Sequence, residues 1–227
     1  MRTSLFLGLA GTAPTAPLNS GQVASCYPAS SSSTGFHLVA NVTEPSTDLT
    51  PSPKRAESHG MIFYQNGTAE EIRDGRGSII TDGGTPAFPF GIYIQAEDRF
   101  DTAYPAEHAM TIQLGSGTTR VSLATLPSPY SYLTGGAQGL FVACPRTIAY
   151  YGAEFVVVRF AYDTVDSDPT LNANEHNVPE GCTAINLLPE CDTLPELFGG
   201  GVSSHEFAAT SRCYEDVAAI DWSDCGP

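Results

Sequence analysis

The sequence predicts a mainly β protein: an antiparallel β-sandwich or barrel-like domain with short C-terminal helices, stapled by disulfide bonds. Three observations support this fold class. Short runs in which apolar and polar residues alternate recur along the chain, as expected for half-buried strands. Turn-forming residues separate these runs, and the chain contains 22 Gly and 17 Pro. Its 6 cysteines are an even number, which a disulfide framework requires.

The strands are predicted from alternation and from the turns between them. Residues 36–42 have apolar side chains at every second position. Residues 61–65 and 68–72 flank Asn66-Gly67, a dipeptide typical of a tight hairpin turn, so a β-hairpin is predicted there. Residues 154–162 are almost continuously apolar, which predicts a strand buried on both faces. Further strands are predicted at residues 78–81, 90–96, 110–114, 120–124 and 140–143.

The C-terminal segment has helix signals instead. Ser203-Ser204-His205-Glu206 matches a capping box, in which Ser203 would cap the amide of Glu206 and Glu206 would bond back. Tyr214, Val217, Ala218 and Ile220 then follow at roughly helical spacing. We therefore expect short helices in this segment.

The N-terminus indicates export. In residues 1–13, Arg2 precedes an apolar run that ends in a small-x-small cleavage pattern, as in a short secretory signal peptide. The run is short and Pro14 would follow the cut, so a disordered N-terminus is the alternative. Residues 14–34 are rich in Pro, Ser, Ala and Thr and are predicted to be a flexible lead-in. Residues 35–227 would then form a single secreted β-rich domain, with a Cys-rich segment at 182–227.

Cysteines and sequons agree with export. No C-x-x-C pair is present, so the usual signature of zinc ribbons and thioredoxin-like sites is missing. Two N-glycosylation sequons begin at Asn41 and Asn66. The sequence therefore predicts a secreted glycoprotein, extracellular or in the cell wall. The predicted disulfide cysteines are Cys26, Cys144, Cys182, Cys191, Cys213 and Cys225.

Charge narrows the range of partners. The chain has 10 Lys plus Arg against 25 Asp plus Glu, giving a formal net charge of −15. Such a balance repels phosphate backbones and anionic membranes, so we predict neither nucleic acid nor a membrane as partner. No run of residues is long and apolar enough to cross a bilayer. Nothing in the sequence indicates an oligomeric state.

Motifs for catalysis or cofactors are missing from the sequence. It contains no G-x-S-x-G elbow, H-E-x-x-H, P-loop or G-x-G-x-x-G stretch, and its five histidines fit no triad or metal motif. Asp163, Asp166 and Asp168 could contribute oxygen ligands to calcium, but Leu171 stands where an EF-hand needs its turn glycine. We interpret this stretch as a solvated loop and predict no metal and no other cofactor.

Two kinds of site remain open. A hydrolase would need a carboxylate pair about 5 to 10 Å apart, one of them kept protonated. Candidates are the acidic residues of the C-terminal tail: Glu206, Glu215, Asp216, Asp221 and Asp224. A binding protein would use exposed aromatic faces, and Tyr130 and Tyr132 would share a face if their segment is extended. Packing of both tyrosines over a sheet edge is the alternative.

Several short stretches, taken in order, carry a resemblance. They are GFHLVANVT at 35–43, FYQNGT at 63–68, PFGI at 89–92, FVAC at 141–144, CTAINLLPEC at 182–191, SSHEF at 203–207 and RCYED at 212–216. Together they resemble a family of secreted proteins of filamentous fungi whose domain has no assigned function. Some members are labelled IgE-binding or cell-wall proteins, and the resemblance implies no catalytic residue. This chain departs from those relatives after residues 48–51, where they have a longer stretch.

These observations lead to one hypothesis about the disulfides and two about function. We favour a bond between Cys26 and Cys225, with the other four cysteines tying the C-terminal segment to the Cys144 strand. Cys182 and Cys191 would flank a proline-containing turn. The leading function is a non-catalytic extracellular protein that binds a polysaccharide or a host molecule, such as a host protein. The alternative is a secreted, acid-active hydrolase that uses a carboxylate pair.

Overall fold

The computed structural model describes residues 27–42, 61–95, 107–163, 177–197 and 199–222. Most regular structure within these ranges is strand, which confirms the mainly β class. The helical elements described are α1 (Ala69–Arg73) and a 3₁₀ turn at Val217–Ala219. The strands are β1 (Ser31–Ser33), β2 (Gly35–Val42), β3 (Phe63–Asn66), β4 (Ser78–Gly83), β5 (Phe88–Ile94), β6 (Glu107–Leu114), β7 (Val121–Leu123), β8 (Leu133–Gly135), β9 (Gly139–Ile148), β10 (Ala153–Tyr162), β11 (Thr183–Asp192), β12 (Ala208–Ala209) and β13 (Ser211–Cys213).

Eight of the strands form a closed, antiparallel, barrel-like sheet. The order around the barrel is β3-β2-β11-β9-β10-β6-β5-β4, and β4 pairs with β3 to close it. Closure leaves few free strand edges, which is how all-β domains avoid unpaired backbone groups. The longest pairing between strands that are distant in the sequence joins β2 to β11, whose register runs from Val42 opposite Ile185 to Gly35 opposite Asp192.

The barrel interior is filled by side chains. Alternate residues of its strands, among them Phe36, Phe63, Ile92 and Phe160, form one buried apolar cluster. The hairpin of β7 and β8 adds buried Val121, Leu123 and Leu133 to this cluster. His108 is buried with them, and its ring packs edge-on against Tyr162 at 4.5 Å. The interior, as formed by the described residues, is therefore a packed core.

The segment that connects β6 to the β7–β8 hairpin crosses close to β5. The backbone passes over β5 at Gly91, where a Cβ atom would lie 2.1 Å from the Gly117 nitrogen. Thr118 then donates its amide to the Ile92 carbonyl at 2.8 Å. Only glycine at position 91 leaves room for this approach.

Two disulfide bonds join strands in the second half of the described chain. Cys144 of β9 bonds Cys182, which directly precedes β11, and Cys191 of β11 bonds Cys213 of β13. The residues between Cys182 and Cys191 form β11, so the predicted proline-containing turn is wrong. Pro189 fits within a strand because the pairing of β11 with β9 ends at Ile185, and the amide of Tyr214 instead donates to the Pro189 carbonyl at 2.9 Å.

Several local predictions are corrected. The predicted second strand of the Asn66-Gly67 hairpin is helix α1, because Thr68 and Glu71 form a capping box. The Glu71 carboxyl accepts hydrogen bonds from the Thr68 amide and hydroxyl. These bonds lower its pKa, and the amide has the larger effect. The C-terminal helices are replaced by β12, β13 and the single 3₁₀ turn. Residues Ser31–Ser33, assigned to the flexible lead-in, form β1 and pair with β13.

Other predictions fall outside the described residues. These are the signal peptide at 1–13, most of the lead-in, Cys26 and Cys225 with their proposed bond, the stretch after residues 48–51, and the acidic loop from Asp166 onward. Neither helical element in the described ranges is long enough to cross a bilayer.

Candidate functional site

The strand pair β9–β10 extends beyond its neighbours. In the described residues, β11 pairs with β9 only as far as Ala143, and β6 pairs with β10 only at Arg159–Ala161. The two strands nevertheless stay paired with each other out to Ile148 opposite Ala153. We call residues 145–157 the ribbon. The predicted burial of this strand on both faces is wrong for its first half, because its pairing with β6 stops at Arg159.

The ribbon carries exposed aromatic and apolar side chains. The exposed fractions are 88% for Tyr150, 65% for Tyr151, 65% for Val156 and 42% for Phe155. The three aromatic rings form a chain of edge-to-face contacts, with centroids 4.9 Å apart for Tyr150–Tyr151 and 5.4 Å apart for Tyr151–Phe155. Exposed apolar side chains that are contiguous, not scattered singly, usually mark a binding surface.

The turn at the tip fixes the two tyrosines. The amides of Tyr151 and Gly152 both donate to the Ile148 carbonyl at 3.0 Å. Gly152 has φ +59°, a left-handed conformation that glycine adopts without strain. A tight turn at this point leaves Tyr150 and Tyr151 outside the strand pairing, so their side chains lie in solvent.

A charged cluster lies at the base of the ribbon. The Glu107 side chain is only 5% exposed and contacts two arginines. Arg146 donates to both Glu107 oxygens, through Nε at 3.0 Å and through Nη2, and Nη2 also lies 3.4 Å from the Cys182 sulfur. The Nε of Arg159 is 3.4 Å from Glu107 Oε1. These contacts join β6, β9 and β10 where the ribbon leaves the barrel, and they hold its base in one position.

The same cluster superficially resembles a metal site. One Glu107 oxygen and the sulfurs of Cys144 and Cys182 lie within 4.8 Å of one another. The two sulfurs are bonded to each other, however, and metal binding by cysteine requires thiolates. We therefore assign this group a structural role.

The structure separates the two tyrosines proposed from the sequence. The ring of Tyr130 packs edge-to-face against Tyr27 at 5.5 Å. Tyr132 instead packs against a buried cluster of Val39, Leu188, Tyr214 and Val217. Ligand binding by Tyr130 and Tyr132 stays a prediction.

The sequon asparagines both lie in strands. Asn41 is in β2 opposite Asn186, and Asn66 is the last residue of β3. Both are half-buried. Their glycosylation stays a prediction.

The acidic tail contributes to a cleft of about 610 Å³. Glu215, Asp216 and Asp221 line it together with Tyr27, and all three acidic residues are exposed. Asp216 also accepts the amides of Ala218 and Ala219 and so caps the 3₁₀ turn. Glu206 lies apart, in the loop before β12, and Asp224 is outside the described residues.

Two histidine rings contact carboxylates on strands β11 and β4. His37 Nε2 contacts Asp192 at 2.7 Å, and His205 Nε2 contacts Asp82 at 2.7 Å. Tyr64 packs against the His205 ring at 5.0 Å. The pKa of Tyr64 is raised, mainly by burial and further by the Asp82 carboxylate.

Comparison with known proteins places the chain in a family. The profile for a domain of unknown function, DUF7907, matches residues 33–191. The chain is 41% identical to "Antigenic protein SchS34" of Stachybotrys chartarum over 229 aligned positions, covering 93% of this chain and 99% of that protein. No solved structure matches. The ribbon lies inside the matched family region.

Proposed function

The chain belongs to the family of the domain of unknown function DUF7907, and we propose that it is a secreted, non-catalytic protein that binds polysaccharide through the ribbon. The observation that carries this proposal is the exposed chain of aromatic rings formed by Tyr150, Tyr151 and Phe155. Sugar rings present flat C–H faces to aromatic side chains, and tyrosine adds a hydroxyl that hydrogen-bonds sugar hydroxyls.

An extracellular location is supported by the chemistry of the cysteines. The structure contains the disulfide bonds Cys144–Cys182 and Cys191–Cys213. Disulfide bonds persist in oxidising compartments and are rare in cytosolic proteins. A relative named as an antigenic protein agrees with exposure to a host. Intact-mass measurement and N-terminal sequencing of protein collected from culture medium would locate any cleavage near residue 13 and any glycan on Asn41 or Asn66.

Binding is tested by depletion. Purified protein is mixed with insoluble fungal wall polysaccharide at mildly acidic pH, and the protein left in solution is measured. We expect depletion by the wild type and at least a tenfold loss of affinity for Tyr150→Ala combined with Tyr151→Ala. Phe207→Ala is the matched control, because Phe207 is a half-exposed aromatic residue away from the ribbon. Equal depletion by the double variant and the control would refute the ribbon as the binding surface.

Tyr130→Ala tests the surface expected from the sequence. Tyr130 contacts Tyr27 at the edge of the acidic cleft, so this variant changes an aromatic surface away from the ribbon. Loss of depletion by Tyr130→Ala alone would move the binding surface to that cleft. No depletion by wild-type protein would favour a host protein as the ligand.

A carboxylate-dependent hydrolase is the second candidate, and the cleft of Glu215, Asp216 and Asp221 is the observation behind it. Reducing ends released in the same tubes decide between the two functions. The proposal expects no release. Release by wild-type protein that disappears in Glu215→Gln combined with Asp216→Asn would establish hydrolysis and overturn the non-catalytic proposal.

A further inference from the structure

A second cleft lies at the far end of β9 from the ribbon. Its volume is about 540 Å³, within the range of small-molecule sites. Residues of the loop after α1, of β7 and β8, and of the turn before β9 line it. The lining side chains that carry polar groups include Asp74, Arg120, Thr125, Thr134 and Gln138.

Arg120 has an unusual backbone in this cleft. Among the described residues other than glycine, it alone has a positive φ, at +74°. That conformation is unfavourable for a residue with a Cβ atom and persists only where neighbours hold it. Here the Arg120 amide donates to the Gly77 carbonyl at 3.2 Å, and Gly136 packs so closely that an added Cβ would lie 2.8 Å from the Arg120 Cβ.

The guanidinium of Arg120 has no partner within the described ranges, and its side chain is exposed. Each of the other five described arginines is engaged through its side chain. The contacts are Arg73 and Arg76 with Asp74, Arg146 and Arg159 with Glu107, and Arg212 with the carbonyls of Ser128 and Tyr130. An unpaired arginine is therefore an exception in a chain with a net charge of −15.

We propose that this cleft binds a carboxylate-bearing sugar, one hexuronate unit, with its carboxylate on Arg120. A guanidinium accommodates a carboxylate through two parallel hydrogen bonds. The charge of Asp74 is balanced by Arg73 and Arg76, so its oxygens can accept from sugar hydroxyls, as can the Gln138 amide oxygen. No aromatic side chain lines the cleft. The site would therefore recognise the ligand by its carboxylate and hydroxyls, and not by stacking on its ring.

The proposal is tested with the intact protein by calorimetry or by NMR titration. Glucuronate is the probe, glucose the neutral comparison and inorganic phosphate the anion comparison. We expect binding of glucuronate, no measurable binding of glucose, and weaker binding of phosphate. Phosphate binding as tight as that of glucuronate would reduce the site to one for simple anions and overturn the sugar assignment.

Arg120→Asn is the decisive variant, because asparagine tolerates a positive φ and lacks the guanidinium. It should weaken glucuronate binding about tenfold or more, since a charge-assisted hydrogen bond is lost, while the melting temperature stays the same or rises. Glu196→Gln, a charge change at an exposed residue outside the cleft lining, should bind within twofold of wild type. Unchanged binding by Arg120→Asn would overturn the proposal.

This inference is independent of the ribbon. The Tyr150→Ala, Tyr151→Ala variant should bind glucuronate as the wild type does, and Arg120→Asn should bind neutral wall polysaccharide as before. Loss of both activities in either variant would contradict two separate sites.

Discussion

The two halves of the β9–β10 pair have similar sequences and opposite environments. We call the half of the pair that lies in the barrel the base. There Phe141 and Phe160 meet in the barrel core with ring centroids 5.1 Å apart, and Phe160 is 1% exposed. In the ribbon, Phe155 and Val156 belong to the same strand and lie in solvent. Both halves are rich in aromatic and β-branched residues.

The difference shows that flanking strands, and not hydrophobicity, decide which half is buried. β6 and β11 pair with the barrel half of these two strands, and in the described residues neither pairs with the ribbon. An exposed apolar strand pair with free edges invites aggregation, and most proteins protect such edges. Its presence in the described residues is the reason for the binding proposal made above.

The largest expected difference between the halves is in stability. Phe160→Ala leaves a cavity in the core and should lower the free energy of unfolding by about 3–5 kcal/mol. Phe155→Ala, on the same strand, should lower it by less than about 1 kcal/mol, because that side chain is already half in water. Urea denaturation followed by circular dichroism measures both. Similar losses for the two variants would mean that the ribbon is packed in solution.

Removal of the Cys144–Cys182 disulfide should have the next largest effect on stability. Cys144→Ser with Cys182→Ser removes a cross-link between residues 38 apart in the chain and should cost about 2–4 kcal/mol. Polysaccharide binding by the folded double variant should survive, because the ribbon turn does not involve either cysteine. Loss of binding at full folding would show that the bond also positions the ribbon.

Substitutions of two glycines, Gly135 near the core and Gly152 in the ribbon turn, should show a smaller difference in stability. A Cβ on Gly135 would lie 2.0 Å from the Phe160 ring, so Gly135→Ala should destabilise the core by about 1–3 kcal/mol. Nothing lies within 4 Å of a Cβ at Gly152 in the ribbon turn, where only the positive φ matters. Gly152→Asn tolerates that φ and should change the melting temperature by less than Gly135→Ala does. The reverse order would refute this account of the two sites.

The smallest effect is expected at alkaline pH. Burial raises the pKa of Tyr162 at the base, so the folded protein keeps this proton when the unfolded chain has lost it. This stabilising contribution is complete below the ordinary tyrosine pKa of about 10 and is lost as the pH rises from there through the folded pKa. Tyr162→Phe keeps the ring contact with His108 and should show a shallower loss of stability above pH 10. An unchanged slope would contradict the assigned cause.

Much of the barrel could be predicted because its strands alternate or carry long apolar runs. Residues 36–42 illustrate this, since Phe36 and Leu38 point into the core as their spacing indicates. Closure of the strands into a barrel could not be predicted, because it depends on pairs such as Phe63 with Thr81 that no local pattern records.

Two capping-box patterns show where local reasoning fails. Thr68 and Glu71 form a real capping box, although the sequence suggested a strand after Asn66-Gly67. Ser203 and Glu206 match the same pattern, but the Glu206 amide bonds Ser204 Oγ and the following Ala208 and Ala209 pair with β3. Long-range pairing overrides the local signal in the second case.

The candidate sites were only partly visible in the sequence. Tyr150-Tyr151-Gly152 between two strands is a signal for an exposed aromatic turn, and it could have been recognised. The Arg120 cleft could not, because neither its positive φ nor its lack of partners follows from neighbouring letters.

The seam between β2 and β11 also has a consequence for the order of folding. His37 and Asp192, which pair across this seam, are 155 residues apart in the chain. Contacts between such distant segments form slowly, because a long loop must close before any pairing energy is gained. During synthesis, β2 therefore emerges from the ribosome and waits with its edge uncovered until β11 has been made. Among the described strands, β2 is the first long one in the chain, and its pairing with β11 cannot be completed until residue 192 has been synthesised.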